Sequence, residues 1–131
     1  ITNLVSNTGV ISSNVTGVGT ARQRLAACGY GGDKAIFGGS TGNSHKTNLV
    51  SNTGVVASDT TIVGTSRNNL AAAGYGGDKA IFGFGSYTAD YNDEPLSVTN
   101  LVSNAGVVAS DTTGVGTARW GLAAAGYSTT A

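Results

Sequence analysis

Three arginines, Arg22, Arg67 and Arg119, recur at one position of a repeated pattern. A ring of such guanidinium groups would suit an anionic ligand, for example a sulfated or acidic sugar. The alternative is that each pairs with a backbone carbonyl or with an acid such as Asp59 or Asp111. Trp120, Tyr87 and Tyr91 are candidate contacts for a sugar ring or a protein partner, because aromatic side chains are the usual anchors of both. Asp90-Tyr91-Asn92-Asp93-Glu94-Pro95 gathers oxygen ligands that could hold Ca²⁺, but it lacks EF-hand spacing and its glycine. Its other reading is an acidic loop stopped by the only proline. The single His45 and the single Cys28 make neither a metal set nor a nucleophile–base pair. Gly17-Val18-Gly19 and Gly83-Phe84-Gly85 resemble fragments of nucleotide loops, yet neither leads into a helix that could receive phosphate. No acid–base or nucleophile constellation survives, so no enzyme and no cofactor is expected.

The elements that would position these residues follow from composition and repetition. The chain has 131 residues, enough for one domain spanning 1–131, with 21 glycines, 40% apolar residues and a formal net charge of zero. Disorder normally goes with low hydrophobicity and high net charge, which this balance opposes. Charged residues are only 11%, which removes the clustered Lys and Arg that nucleic acid or an anionic membrane surface requires. No apolar run approaches the roughly 20 residues of a membrane-spanning helix. One cysteine allows no intrachain disulfide framework. A start at Ile1 reads as a processed chain or a piece of a larger one.

Thr2 to Val10 returns as Thr47 to Val55 and again as Thr99 to Val107, with Ala105 for the central Thr. Of the 37 positions from Thr2 to Gly38, 28 match those from Thr47 to Gly83, and 24 of 29 match between Thr47–Tyr75 and Thr99–Tyr127. The repeats run approximately 2–46, 47–98 and 99–131. Periods of roughly 40 to 50 residues mark propellers and solenoids.

Each repeat reads as four short strands. Leu25 to Tyr30 (strand A) turns through Gly31-Gly32-Asp33-Lys34 into Ala35 to Gly38 (strand B). Asn48 to Ser51 (strand C) turns through Asn52-Thr53-Gly54 into Val55 to Ser58 (strand D). Leu70 to Ala73 has helical propensity, but Gly74 stops it before a helix can nucleate. The fold class is therefore all-β. Four antiparallel strands per 45 residues is the arithmetic of a propeller blade, with the alanine-rich strand innermost; a β-solenoid is the alternative.

Arg22 to Gly39 resembles the kelch pattern: an Arg, an apolar strand, a glycine turn and an apolar strand ending on Gly38-Gly39. Thr99 to Asn104, Gly116 to Tyr127 and Gly77 to Gly83 are similar to near-identical repeats in virion structural proteins of marine tailed phages, cyanophages among them. That resemblance implies a virion or extracellular structural role. The strand order is C-D, A-B-C-D, A-B-C-D, A: about three blades, with the ring completed by another copy or by missing sequence. Two copies would give about six blades; the absence of a final B strand after Tyr127 favours missing sequence.

The repeats differ at Gln23-Arg24, Asn68-Asn69 and Trp120-Gly121, and between strands B and C, where Phe84 to Val98 is seven residues longer than Gly39 to Lys46. Strands alternating up and down place both variable zones on one face, while the Gly31–Lys34 and Asn52–Gly54 turns take the other. Loops on a rigid scaffold are where binding is usually placed. The expectation is a non-enzymatic structural or adhesion module recognising a cell-surface glycan or protein through this face. A lectin-like propeller with one site per blade is the alternative. Self-association or contact with further repeats is the expected partnership, with no nucleic acid and no membrane insertion.

Overall fold

The computed structural model describes residues 1–40, 45–89 and 92–127. Every regular element among them is a β-strand, so the chain is all-β. In the first unit, β1 (Ala26–Tyr30) reverses into β2 (Lys34–Gly38) through Gly31 and Gly32, with φ of +60° and +81°. Two successive left-handed residues are strained for any side chain but cost glycine little. β2 pairs antiparallel with β3 (Lys46–Val50), and β3 with the short β4 (Thr60–Thr61), giving the sheet order β1-β2-β3-β4. The second unit repeats this with β5 (Ala71–Tyr75) and β6 (Lys79–Gly83). Between β6 and its next partner lies a separate hairpin of β7 (Ser86–Ala89) and β8 (Asn92–Pro95). β9 (Thr99–Val102) then returns beside β6.

The fourth strand departs from the expected continuous run Val55 to Ser58. Val50 faces Val56, while Thr47 faces Thr60, so one extra residue sits in the outer strand between the two pairings. The same bulge occurs between the Val102–Val108 and Thr99–Thr112 pairings, and between Val5–Ile11 and Thr2–Val15. Its cause is a side chain. The amides of Asn3, Asn48 and Asn100 donate to the carbonyls of Ser12, Ala57 and Ala109, replacing a backbone ladder bond. The turn before it is also built alike three times, with Ser6, Ser51 and Ser103 Oγ accepting the N–H four residues on at 3.0–3.1 Å.

The core lies between the two units. β2 turns Ile36 and Gly38 towards the second unit, and β6 turns Ala80 and Phe82 back towards the first. Phe82 covers Gly38 so closely that a Cβ there would lie 2.7 Å from the ring. Leu70 covers Gly39, and Tyr30, Val102, Cys28, Leu49 and Val108 complete the cluster. Alternation along each strand thus gives one face to each neighbour. The sheets remain separate and none closes on itself.

Two further expectations change, one on the insertion and one on the third repeat. Of the expected acidic loop Asp90 to Pro95, residues 90 and 91 lie outside the described residues, and 92–95 form the largely exposed strand β8, paired with β7 and tied by Asp93 to Arg24 at 3.6 Å. Tyr87 and Thr88, good strand formers, supply the other half of that hairpin. Residues 122–127, expected as a third strand A, carry no strand pairing, although Gly126 lies against the Gly74 carbonyl.

Candidate functional site

The two rims of the units are built from different connections. On one, the Asp33 carboxylate accepts from the Asn52 amide at 2.9 Å, and Asp78 accepts from Asn104 at 3.1 Å. The A–B and C–D turns therefore meet. On the other, Arg24 in the link entering the first unit meets Asp93 of the insertion. The variable D–A and B–C connections therefore meet as well.

The variable rim is stitched by backbone bonds between equivalent positions. Asn69 N–H donates to Arg24 O, and Gly121 N–H to Asn69 O, both at 3.0 Å. Arg24, Asn69 and Gly121 all hold left-handed φ, of 57°, 51° and 68°. Ser40 N–H donates to Arg67 O and Gly85 N–H to Arg119 O in the same way. Asn68 and Ser86 exchange backbone bonds at 2.9 Å, and Ser86 Oγ donates to Asn68 Oδ1. One backbone track thus runs from Tyr87 through Ser86, Asn68, Asn69 and Gly121 to Trp120. Tyr87 is 41% exposed and Trp120 51% exposed, so both rings remain available at its ends. Tyr91 lies outside the described residues.

The three arginines take two different roles. Arg67 is buried, and its guanidinium donates to the carbonyls of Phe84 and Val98 and to Asn100 Oδ1. Arg22 makes the equivalent bonds to Gly39 O, Lys46 O and Asn48 Oδ1. Both groups are thus engaged by oxygens of the chain itself. Arg119 is exposed; it bonds Thr117 O at 3.2 Å and sits 3.9 Å from the centroid of the Phe84 ring. Phe84 replaces the glycine found at position 39 and keeps a left-handed φ of 59°.

Each engaged arginine belongs to a clip between the link entering a unit and that unit's outer strands. Thr20 N–H and Oγ1 donate to Asp59 Oδ2 at 3.0 and 2.7 Å, and Asn48 Nδ2 donates to Asp59 Oδ1 at 2.9 Å. Thr65, Asp111 and Asn100 repeat the arrangement at 2.9, 2.7 and 2.8 Å. Gly64, with φ +120°, passes so close that a Cβ would overlap the Asp111 carboxylate. The Thr20 hydroxyl, then the Asn48 amide and the Thr20 N–H, hold the Asp59 carboxyl down to about 2. At Asp111 burial pushes the carboxyl up, but the Thr65 and Asn100 bonds and Arg67 outweigh it and leave it below the ordinary value.

The remaining candidates carry less chemistry. Burial pushes the Cys28 thiol up to about 11, so it stays protonated at neutral pH. Burial, then Arg67, lowers His45. Among the described residues no cluster of three His, Cys, Asp or Glu could hold a metal. No protein-family model matches the chain, and no curated protein matches its sequence.

Asn48, Asn100, Thr20 and Thr65 were not singled out from sequence, although Asn3, Asn48 and Asn100 and also Thr20, Thr65 and Thr117 are unchanged in all three copies. Repeat-invariant polar residues in apolar surroundings were the available signal. Asn68, at a position that differs between the repeats, is nevertheless buried, because it anchors the insertion through Ser86.

Proposed function

We propose that the chain is a non-catalytic structural or adhesion module of a virion or an extracellular surface, made of kelch-like propeller blades that present one variable rim to a cell-surface glycan or protein. The observation that carries this is the segregation of the rims. The two positions after the repeated Arg, different in all three copies, meet the insertion where Arg24 approaches Asp93 and Asn68 bonds Ser86, while the opposite rim repeats its Asp–Asn bond.

The blade reading is supported by the relation of equivalent strands. In a solenoid, successive copies of one strand pair within a continuous sheet; here β1 and β5 belong to different sheets and pack side by side. Gly29, Gly74 and Gly126 with Tyr30, Tyr75 and Tyr127 line a common cleft of about 640 Å³, as inner strands around a hub would. Further repeats or another copy would complete the ring.

Trp120 and Tyr87 carry the recognition as aromatic anchors. Binding to a glycan array and to intact cells is expected to weaken at least about tenfold in a Trp120→Ala, Tyr87→Ala double variant whose circular dichroism is unchanged. Undiminished binding would remove this rim from the proposal. Saturation at one ligand per repeat would instead indicate the lectin-like alternative.

A further inference from the structure

The donor half of the clip that closes both full units is present a third time, without a carboxylate acceptor among the described residues. Gly116-Thr117-Ala118-Arg119 repeats Gly64-Thr65-Ser66-Arg67 in the link that precedes residues 122–127. Where a Cβ on Gly64 would overlap a carboxylate, one on Gly116 would meet only Arg119 at 4.0 Å. Among the described residues no side chain donates to or accepts from the Thr117 hydroxyl or N–H.

The neighbouring face of the second unit is open in the matching way. Ile36 is fully buried beneath the second unit, whereas its equivalent Ile81 is only partly buried. Gly38 lies under Phe82, whereas its equivalent Gly83 meets nothing closer than Thr99 at 3.7 Å. Leu4 packs on Gly54 and Leu49 on Gly106, each against the C–D turn of the next repeat; Leu101, the third of the series, meets no such turn glycine among the described residues.

We propose that this surface is a docking site for the B, C and D strands of one further repeat. Its occupant is specified at three points by interfaces already made within the chain. A B-strand phenylalanine covers Gly83, a C–D turn glycine receives Leu101, and a C-strand Asn with an Asp eleven residues later engages Thr117 and Arg119. Residues 32–61 carry all three, as Phe37, Gly54, Asn48 and Asp59. The leading pair of a second copy does not. In it, Asn14 stands where the other repeats have Asp59 and Asp111. Asn3 Nδ2 already donates to Asn14 Oδ1 at 2.9 Å, so the Asn14 amide would turn its NH₂ towards the Thr117 N–H, donor against donor. The docking site therefore prefers an interior repeat to the leading pair of its own kind.

A synthetic peptide of residues 32–61, titrated into the intact chain, tests this through the fluorescence of Trp120, the only tryptophan and the immediate neighbour of Arg119. Saturable binding of one peptide per chain is expected. An Asp59→Asn peptide is expected to bind at least about tenfold more weakly, since charge-assisted bonds to Thr117 are lost. Thr117→Val in the chain, distant from the packed core, is expected to weaken the parent peptide by a similar factor and to leave the Asp59→Asn peptide unaffected. No binding, or equal binding of the two peptides, overturns the proposal. It rests on the repeat packing and not on adhesion, so loss of glycan binding in the Trp120 and Tyr87 variants bears on the rim alone.

Discussion

At the scale of single residues, one short polar side chain in each repeat organises the surrounding backbone. Asn48 cannot continue a regular ladder opposite a bulge, so its amide takes the Ala57 carbonyl and the Asp59 carboxylate together. The carboxylate then has oxygen capacity left for Thr20, and the link entering the unit is tied down. Linkage gives this a pH dependence with a definite sign. The Asp59 carboxyl is depressed from 3.8 to about 2, so its stabilisation is fully present above pH 4 or so. It is lost as pH falls towards about 2. Denaturant unfolding monitored across that window should show the chain weakening, and Asp59→Asn should flatten part of the slope. An unchanged slope in the variant would mean that Asp59 is not the titrating group.

At the scale of elements, the same sequence has different worth in different places. Phe37 and Phe82 occupy equivalent positions of β2 and β6, yet Phe82 is 2% exposed and Phe37 is only partly buried. Phe82 lies between the two sheets; Phe37 faces a cleft bounded by the leading pair, with Ile1, Val18 and Leu25 beside it. Truncation to alanine should follow this difference. Phe82→Ala is expected to cost about 3–5 kcal/mol, and Phe37→Ala roughly half as much, by equilibrium unfolding. Equal losses would show that each sheet is stabilised internally and not by its neighbour.

At the scale of the whole molecule, stability should be graded from the middle outwards. Units that contact only their neighbours have a stability approximated by a sum of unit and interface contributions. Ile36, Ala80, Phe82 and Val102 sit at the interface between the two full units, while Leu4, Val5, Val10, Ile11 and Val15 of the leading pair are largely exposed. Native-state hydrogen exchange should therefore be slowest in β2, β6 and β9. It should be fastest in residues 1–25 and 115–127, which among the described residues have a neighbouring unit on one side only. Uniform protection along the chain would contradict this gradient.

The repeat, the strand-rich class, both hairpin turns and the division of variable positions between rims were legible in the sequence, because each depends on local periodicity or turn chemistry. Gly31-Gly32 and Asn52-Thr53-Gly54 dictate reversals wherever the chain places them. The bulge, the Thr–Asp–Asn clip and the second hairpin at Ser86 to Pro95 were not legible. Thr20 and Asp59 are 39 residues apart and meet only after three strands have folded between them. Pairing of Arg67 with backbone carbonyls was one reading the sequence offered; that the carbonyls are those of Phe84 and Val98 was decided by packing. Local preference could thus set which segments extend and where they turn. Which polar groups satisfy one another was decided by tertiary structure, since burial alone makes an unpaired donor costly enough to select its partner.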